Sequence, residues 1–281
     1  MRVVLRVSGS SPWLRRAQTK LASTELSREE KFRGLLNAAL ATRYYSDRAR
    51  TDLLLEAQDL GQIPVTPLRD LLNRPEAFSN RNSSRRRHTF QPPFKSDNLV
   101  VCGMKLTLPR GAREIGELSL AQLNLSQTRM LAATPPLLRR ICAAVEAQAL
   151  ALPQLSEAVV VLGSNRDGML LPGERDMLWR CFGVPVFEQW LGLDGELLAW
   201  ECEAHQGLHV DADKVELEVI AGELVVTSWL GRSVPALRLA TGWHGEIQTG
   251  PCSCGHSGPI LAALETLHPL ENSRAMAASA V

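Results

Sequence analysis

Two cysteine-containing pairs in the second half of the chain constrain its fold more than any other feature. Cys202 is followed seven residues later by His209, and Cys252 and Cys254 lie about fifty residues further on in a Gly-Pro-Cys-Ser-Cys-Gly run. A sequence-local pair followed by a distant pair is the usual arrangement of a closed four-ligand zinc site. Thiolates with one imidazole select zinc over magnesium or calcium. The spacing therefore predicts that the two segments meet around one structural zinc ion.

The residues alone leave alternatives to this ligand set. His205 and His256 lie close enough along the sequence to replace His209 as the imidazole ligand. The four residues could also be unrelated small buried side chains, since Cys-x-Cys spacing is weaker support than Cys-x-x-Cys. If all four do bind, no position is left open for water, so the zinc is structural rather than catalytic.

Length and charge restrict the class of protein. The chain has 281 residues, enough for one large domain or two small ones. Its 31 basic and 30 acidic residues nearly cancel, so we expect neither nucleic acid nor an anionic membrane as partner. The start, Met-Arg-Val-Val-Leu-Arg, is not a signal-peptide core, and no apolar run is long enough to span a bilayer. We therefore predict a cytoplasmic protein that keeps its six cysteines reduced.

The hydrophobic pattern predicts an α/β fold. Residues 27–59 have helical spacing and begin with a Ser27/Glu30 capping box. Strand-like runs at 98–108, 158–163 and 184–187 alternate with helical runs at 135–150 and 172–182. This alternation predicts helices packed on a largely parallel sheet. From Glu201 the pattern changes to short strands and hairpin turns.

These changes divide the chain into five predicted segments. They are an N-terminal helical segment (1–78), a flexible loop (79–97), an α/β layer (98–200), a zinc-binding β-rich subdomain (201–270) and a tail (271–281). The loop contains Arg85-Arg86-Arg87-His88. We interpret this cluster as a solvated charged face, with a phosphate or nucleic-acid contact as the alternative.

Several short motifs of the second half resemble the phenylacetate–coenzyme A ligase family of adenylate-forming enzymes. In order along the chain they are Glu201-Cys202, Gly207-Leu208-His209, Gly222-Glu223-Leu224-Val225-Val226-Thr227 and Cys252-Ser253-Cys254-Gly255. Weaker matches extend the resemblance over most of residues 40–260. The resemblance implies part of the N-terminal domain of such an enzyme, which activates a carboxylic acid with ATP and transfers it to coenzyme A.

The resemblance also implies site residues. Some family members carry zinc on three cysteines and a histidine, and Cys202, His209, Cys252 and Cys254 fall on those positions. A relic nucleotide or acyl pocket would lie at the strand ends, and its candidate residues are Gly163, Ser164, Gly192, Asp194, Glu196 and Thr241. The sequence assigns no catalytic residue.

The departures from the family pattern concern nucleotide binding. No Ser/Thr/Gly-rich loop ending in lysine is present to hold the ATP phosphates. The adenine-stacking tyrosine is replaced by Leu191, with acids at Asp194 and Glu196 displaced by one residue to either side of the family's acidic position. Trp243 stands where the family has an aspartate for the ribose hydroxyls. The sequence ends 27 residues after Cys254, with no lysine there, so we expect the lid domain to be absent.

These departures favour a degenerate ligase-like protein over an active one. We expect no adenylation by this chain alone, no ATP or magnesium bound by it, and a role as a zinc-stabilised binding or scaffold subunit. The expected partner is a protein or a small aryl or acyl acid. The alternative is an active ATP-dependent acyl- or aryl-CoA ligase completed by a partner chain, in which Asp194 or Glu196 would hold magnesium and Arg238 would face phosphate.

Overall fold

The computed structural model describes residues 27–52, 54–80, 90–104, 106–116, 123 and 127–266. The arginine cluster at 85–88, the start of the predicted helical segment and the predicted tail lie outside these residues. None of the helices in the described part of the chain is long and apolar enough to cross a bilayer.

The first half of the chain supplies most of the helices. Their bounds are α1 (Arg28–Leu40), α2 (Arg43–Arg48), α3 (Leu68–Asn73), α4 (Pro135–Glu146) and α5 (Glu174–Phe182), with 3₁₀ turns at Leu60–Gln62 and Pro75–Phe78. The predicted capping box is confirmed, because the Ser27 hydroxyl accepts from the Glu30 N–H and the Glu30 carboxylate accepts from the Ser27 N–H.

The prediction of one continuous helix over residues 27–59 is wrong. The helix ends at Leu40, and a second begins at Arg43. Thr42 separates them because its backbone is extended and its hydroxyl accepts a hydrogen bond from the Tyr45 N–H, which caps α2.

The strands of the described residues form one mixed sheet. In chain order they are β1 (Leu99–Cys102), β2 (Arg113–Ile115), β3 (Met130–Ala133), β4 (Ala158–Ser164), β5 (Val186–Leu191), β6 (Leu197–Glu201), β7 (Leu208–Val210), β8 (Val215–Ile220), β9 (Glu223–Ser228), β10 (Leu239–Pro251) and β11 (Ser257–Thr266). Their spatial order is β2-β1-β3-β4-β5-β6-β7-β11-β10-β9-β8.

The two halves of the sheet differ in strand direction. Strands β2, β1, β3, β4 and β5 pair in parallel, and every pairing from β5 to β8 is antiparallel. The predicted mixed α/β fold is therefore confirmed. The sheet continues through residue 200 without a break, and the predicted division into domains there stays a prediction.

Separate groups of helices cover the two halves. Helices α4 and α5 pack on one face of the parallel half through residues such as Leu138, Ile141 and Leu178. The N-terminal helices instead pack on the antiparallel half, where the Tyr45 hydroxyl lies 3.3 Å from the Leu237 carbonyl and Trp190 is fully buried. The contact between Tyr45 and Leu237 joins residues that are 192 positions apart in the sequence.

Candidate functional site

The four predicted zinc ligands lie together in the structure. The Cys202 Sγ is 3.7 Å from the Cys252 Sγ and 3.2 Å from the His209 Nε2. The Cys254 Sγ is 3.4 Å from the same nitrogen, and all four ligand atoms lie within 4.8 Å of one another. The two segments that the sequence separates by about fifty residues therefore meet as predicted.

The spacing of these atoms suits a tetrahedral ion. Bonds of about 2.3 Å to sulfur and 2.0 Å to nitrogen place tetrahedral ligands roughly 3.8 Å apart for two sulfurs and 3.5 Å for sulfur and nitrogen. The 3.7 Å between Cys202 and Cys252 agrees with this and is far too long for a disulfide. Three thiols and one imidazole are also a donor set that zinc prefers.

Short strands and turns bring the ligands together. Cys202 directly follows β6, and His209 lies on β7, where it pairs with Ile260 of β11. Cys252 and Cys254 form the turn between β10 and β11, which the Gly255 N–H closes by donating to the Cys252 carbonyl at 2.9 Å.

Gly207 lets the chain between Cys202 and His209 pass close to β11. Its φ of +114° favours glycine, and a Cβ there would lie 2.7 Å from the Leu261 carbonyl oxygen. The glycine before His209 is therefore required by the close approach of β11.

The protonation of the cluster is coupled to metal binding. Burial raises the pKa of the Cys202 thiol to about 12, so ionisation of this thiol at neutral pH needs a nearby cation. Burial, and then His256, lower the pKa of His209, which keeps its ring neutral as a metal ligand must be.

The two rival histidines lie outside the ligand set. The His205 Nδ1 is 2.9 Å from the Glu201 carboxylate, and its ring lies beside Phe187. His256 packs edge-on against His209, with ring centroids 4.6 Å apart. The group of four that could hold an ion contains neither of them.

Three of the six predicted pocket residues lie at neighbouring strand ends. Gly163 and Ser164 end β4, and Gly192 follows the end of β5, which pairs with β4 in parallel. The space beside both glycines is filled by the protein itself. A Cβ at Gly163 would clash with the Met169 sulfur, and one at Gly192 would clash with the Glu196 carboxylate. Sequence patterns gave no sign that Met169 lies there.

The two candidate magnesium ligands are bound by the protein's own donors. The Asp194 carboxylate accepts from the backbone N–H groups of Arg232 and Ser233 at 3.0 and 2.9 Å. Glu196 is buried, and its carboxylate accepts from the Ser228 hydroxyl and from the Asp194 N–H. Both acids therefore hold together the loop after β9.

Thr241 lies some distance from Glu196, one of the other five pocket residues. Its hydroxyl donates to the Leu224 carbonyl at 2.8 Å, near the start of β9. Ser228, which contacts Glu196, is four residues further along β9, about 13 Å away at roughly 3.3 Å per residue. The structure thus does not gather all six residues at one place.

Arg238 and Trp243 are also engaged within the fold. The Arg238 guanidinium forms two hydrogen bonds of 2.9 Å to the Glu218 carboxylate and donates to the Gly61 carbonyl, so its charge is already paired within the fold. Trp243 is buried against Trp190, with ring centroids 5.3 Å apart.

Glu196 gives a testable pH dependence. Burial raises the pKa of its carboxyl from 4.5 to about 7, against the opposing Ser228 hydrogen bond. The native state therefore binds a proton that the unfolded state releases above pH 4.5, so stability falls as pH rises from about 4.5 to 7. At 1.36 kcal/mol for each pH unit, the free energy of unfolding falls by about 3 kcal/mol over this range because of Glu196.

We expect Glu196→Gln to gain stability relative to the wild type by about 3 kcal/mol between pH 4.5 and 7.5. Urea unfolding of both proteins across this pH range measures the difference between their free energies of unfolding. The effects of the other titrating groups are the same in both proteins and cancel in this difference. A difference that does not change with pH would contradict the assignment.

Comparisons with known proteins support the fold. No protein-family model and no curated protein matches the sequence. Among solved structures, 2-hydroxyisobutyryl-CoA ligase in its postadenylation state with R3-HIB-AMP superposes with a TM-score of 0.59 and 13% identity, over 83% of this chain and 65% of that one. Its open conformation with 2-HIB-AMP and CoA gives 0.58 and 12%, over 82% of this chain and 66% of that one.

The described residues therefore share the fold of 2-hydroxyisobutyryl-CoA ligase over part of that chain's length. The match spans less than two thirds of the ligase chains in these two structures. At such identities the likeness concerns the fold, and activity has to be argued from the residues of this chain.

Proposed function

We propose that this chain is a divergent relative of the phenylacetate–CoA ligases that does not adenylate an acid by itself. In this proposal it is a zinc-stabilised binding or scaffold subunit in the cytoplasm, with a protein or a small aryl or acyl acid as partner. The observation that carries the proposal is that Met169 and Glu196 lie directly against the backbone of Gly163 and Gly192 at the strand ends, where the resemblance implies a ligand pocket.

The energetics of nucleotide binding support the inactive half of the proposal. A charged hydrogen bond contributes on the order of 2 kcal/mol, and oriented contacts to the reacting groups supply most of a rate enhancement. The family's ribose carboxylate is replaced by the buried Trp243, and Asp194 and Glu196 already accept hydrogen bonds from the protein. Several anchoring groups are thus missing or engaged at once.

The metal centre supports the binding half of the proposal. A closed site of three cysteines and one histidine holds Cys202 and His209 against the β10–β11 turn. Zinc bound there would supply folding energy and no reaction step, because its four protein ligands leave no position for substrate. Such a centre would stabilise the fold whether or not the chain binds a nucleotide, as a binding or scaffold subunit requires.

We expect no acid-dependent pyrophosphate exchange by the isolated full chain with magnesium-ATP and a panel of aryl and fatty acids. The reaction needs bound and oriented phosphates, and the two candidate magnesium ligands of this chain, Asp194 and Glu196, already accept hydrogen bonds from the protein. Exchange above a no-enzyme blank would overturn the proposal and favour an active ligase.

A thermal-shift series with magnesium-ATP separates binding from chemistry. A ligand at 100 times its Kd stabilises by about 2.7 kcal/mol, or at least roughly 5 °C for a chain of this size. We expect no such shift with ATP, whereas an aryl or acyl acid that binds would raise Tm without ATP.

A further inference from the structure

A partly buried ion-pair network lies directly before the first zinc ligand. Glu201 is 5% exposed, and its carboxylate contacts Arg175 of α5 at 2.9 Å. The same guanidinium contacts Glu188 of β5 at 2.9 Å and donates to the Val186 carbonyl. The Glu188 N–H also donates to the Glu201 carboxylate at 2.9 Å. The network therefore joins α5 and β5 to the last residue of β6.

The network continues into the turn that carries Cys202. The second carboxylate oxygen of Glu201 lies 2.9 Å from the Nδ1 atom of the His205 ring. The backbone N–H of His205 donates to the Cys202 carbonyl at 3.1 Å. The Ala204 N–H lies 3.4 Å from the Cys202 sulfur. His205 has a φ of +49°, an uncommon conformation for a residue other than glycine. Contacts on both sides of Cys202 thus fix its position.

Other supports for this ligand segment are weak. Cys202 lies beyond the end of β6, and β6 pairs with β7 over only three residues. The His209 Nδ1 is buried and finds no hydrogen-bond partner among the described residues, although a metal-binding histidine usually donates from its second nitrogen to an orienting group. The local core at the site consists of Cys202, Cys252 and Ile260 with partly buried neighbours.

We propose that Arg175, Glu201 and His205 are positioning residues for the metal centre, and that they hold the Cys202 thiolate where zinc requires it. This inference rests on the zinc centre of the proposed function. It assigns a role in metal retention to a helix, α5, that contributes no ligand.

The test compares two arginine variants on packed helices. Arg175→Met removes the support of Glu201, and Arg139→Met removes the ion pair of α4 with Glu174 of α5, which is unconnected to the zinc ligands. The two arginines are matched in exposure, at 36% and 39%. Zinc release from the full chain to a chromogenic chelator measures retention, and the absorption spectrum of the cobalt(II)-substituted protein reports ligand geometry.

We expect zinc release about tenfold faster in Arg175→Met and an altered cobalt(II) spectrum, with Arg139→Met within about twofold of the wild type. Arg175→Lys keeps the charge beside Glu201 and should recover part of the loss. If Arg175→Met does not fold, Glu201→Gln, which preserves the shape of the side chain, takes its place.

The outcomes separate the two proposals. A wild-type protein with well under one zinc per chain overturns the zinc centre itself. A wild-type protein that holds zinc while Arg175→Met and Glu201→Gln release it no faster than Arg139→Met, with unchanged cobalt(II) spectra, overturns the positioning role alone.

Discussion

Replacing Cys252 with serine is expected to abolish stoichiometric zinc binding and to lower the free energy of unfolding by about 5 kcal/mol or more. Free energies of structural zinc sites reach about 10–16 kcal/mol and are coupled to folding. The apolar residues around the site are few, so the β10–β11 turn and the Cys202 turn have little else to hold them together. The same result is expected for Cys254→Ser.

Elemental analysis of protein purified without chelator, together with urea unfolding, measures both effects. Cys181→Ser is the matched control, because this partly buried cysteine of α5 lies outside the ligand cluster. It should retain zinc and lose little stability. A Cys252→Ser protein as stable as the Cys181→Ser protein would contradict a structural metal centre.

The clustering of the three cysteines with a histidine was predictable because its chemistry is local. Thiols and an imidazole at short spacing, each pair on a turn, predict a shared ion without knowledge of the surrounding fold. The spacing alone left His205 and His256 as rivals of His209, the family resemblance favoured His209, and the structure places His209 with the three cysteines. The selection comes from β7, which pairs His209 with Ile260 and faces it towards the cysteines.

The fold class was also predictable, and the packing between its parts was not. Alternating strand and helix patterns correctly indicated the parallel half of the sheet. Nothing in the periodicity of α1 and α2 indicates that they pack on the antiparallel half through Tyr45 and Leu237. Such contacts join residues that are distant in the sequence. Their specificity comes from the close packing of side chains and is not encoded in the hydrophobic periodicity.

The strand-end residues show the same limit. Gly163 and Gly192 lie at adjacent strand ends as an α/β sheet predicts. Whether a cleft remains beside them depends on Met169, which has no distinctive sequence signal, and on Glu196, which the sequence named as a candidate ligand and not as an occupant of this space. Arg175 is a similar case, since its partners Glu188 and Glu201 come from two later strands.

The position of Trp243 bears on whether a single substitution could give this chain the ribose-binding carboxylate that the resemblance implies. Its side chain is 5% exposed, packs against the fully buried Trp190 and belongs to the core shared with the N-terminal helices. A buried aromatic pair contributes through both area and ring geometry. The side chain has therefore become part of the core at the place where the resemblance implies a polar ribose contact.

We expect Trp243→Asp to destabilise the fold by at least about 4 kcal/mol and to restore no ATP binding. Removing a buried tryptophan side chain costs about 3–5 kcal/mol, and burying an unpaired carboxylate adds several more unless it becomes protonated. Trp243→Phe keeps an apolar ring beside Trp190, so we expect it to cost no more than about 2 kcal/mol. Urea unfolding of both variants, followed by the magnesium-ATP thermal-shift series, makes the comparison. An aspartate variant as stable as the phenylalanine variant, or one stabilised by ATP, would show that Trp243 closes an intact nucleotide site and is not a structural part of the core.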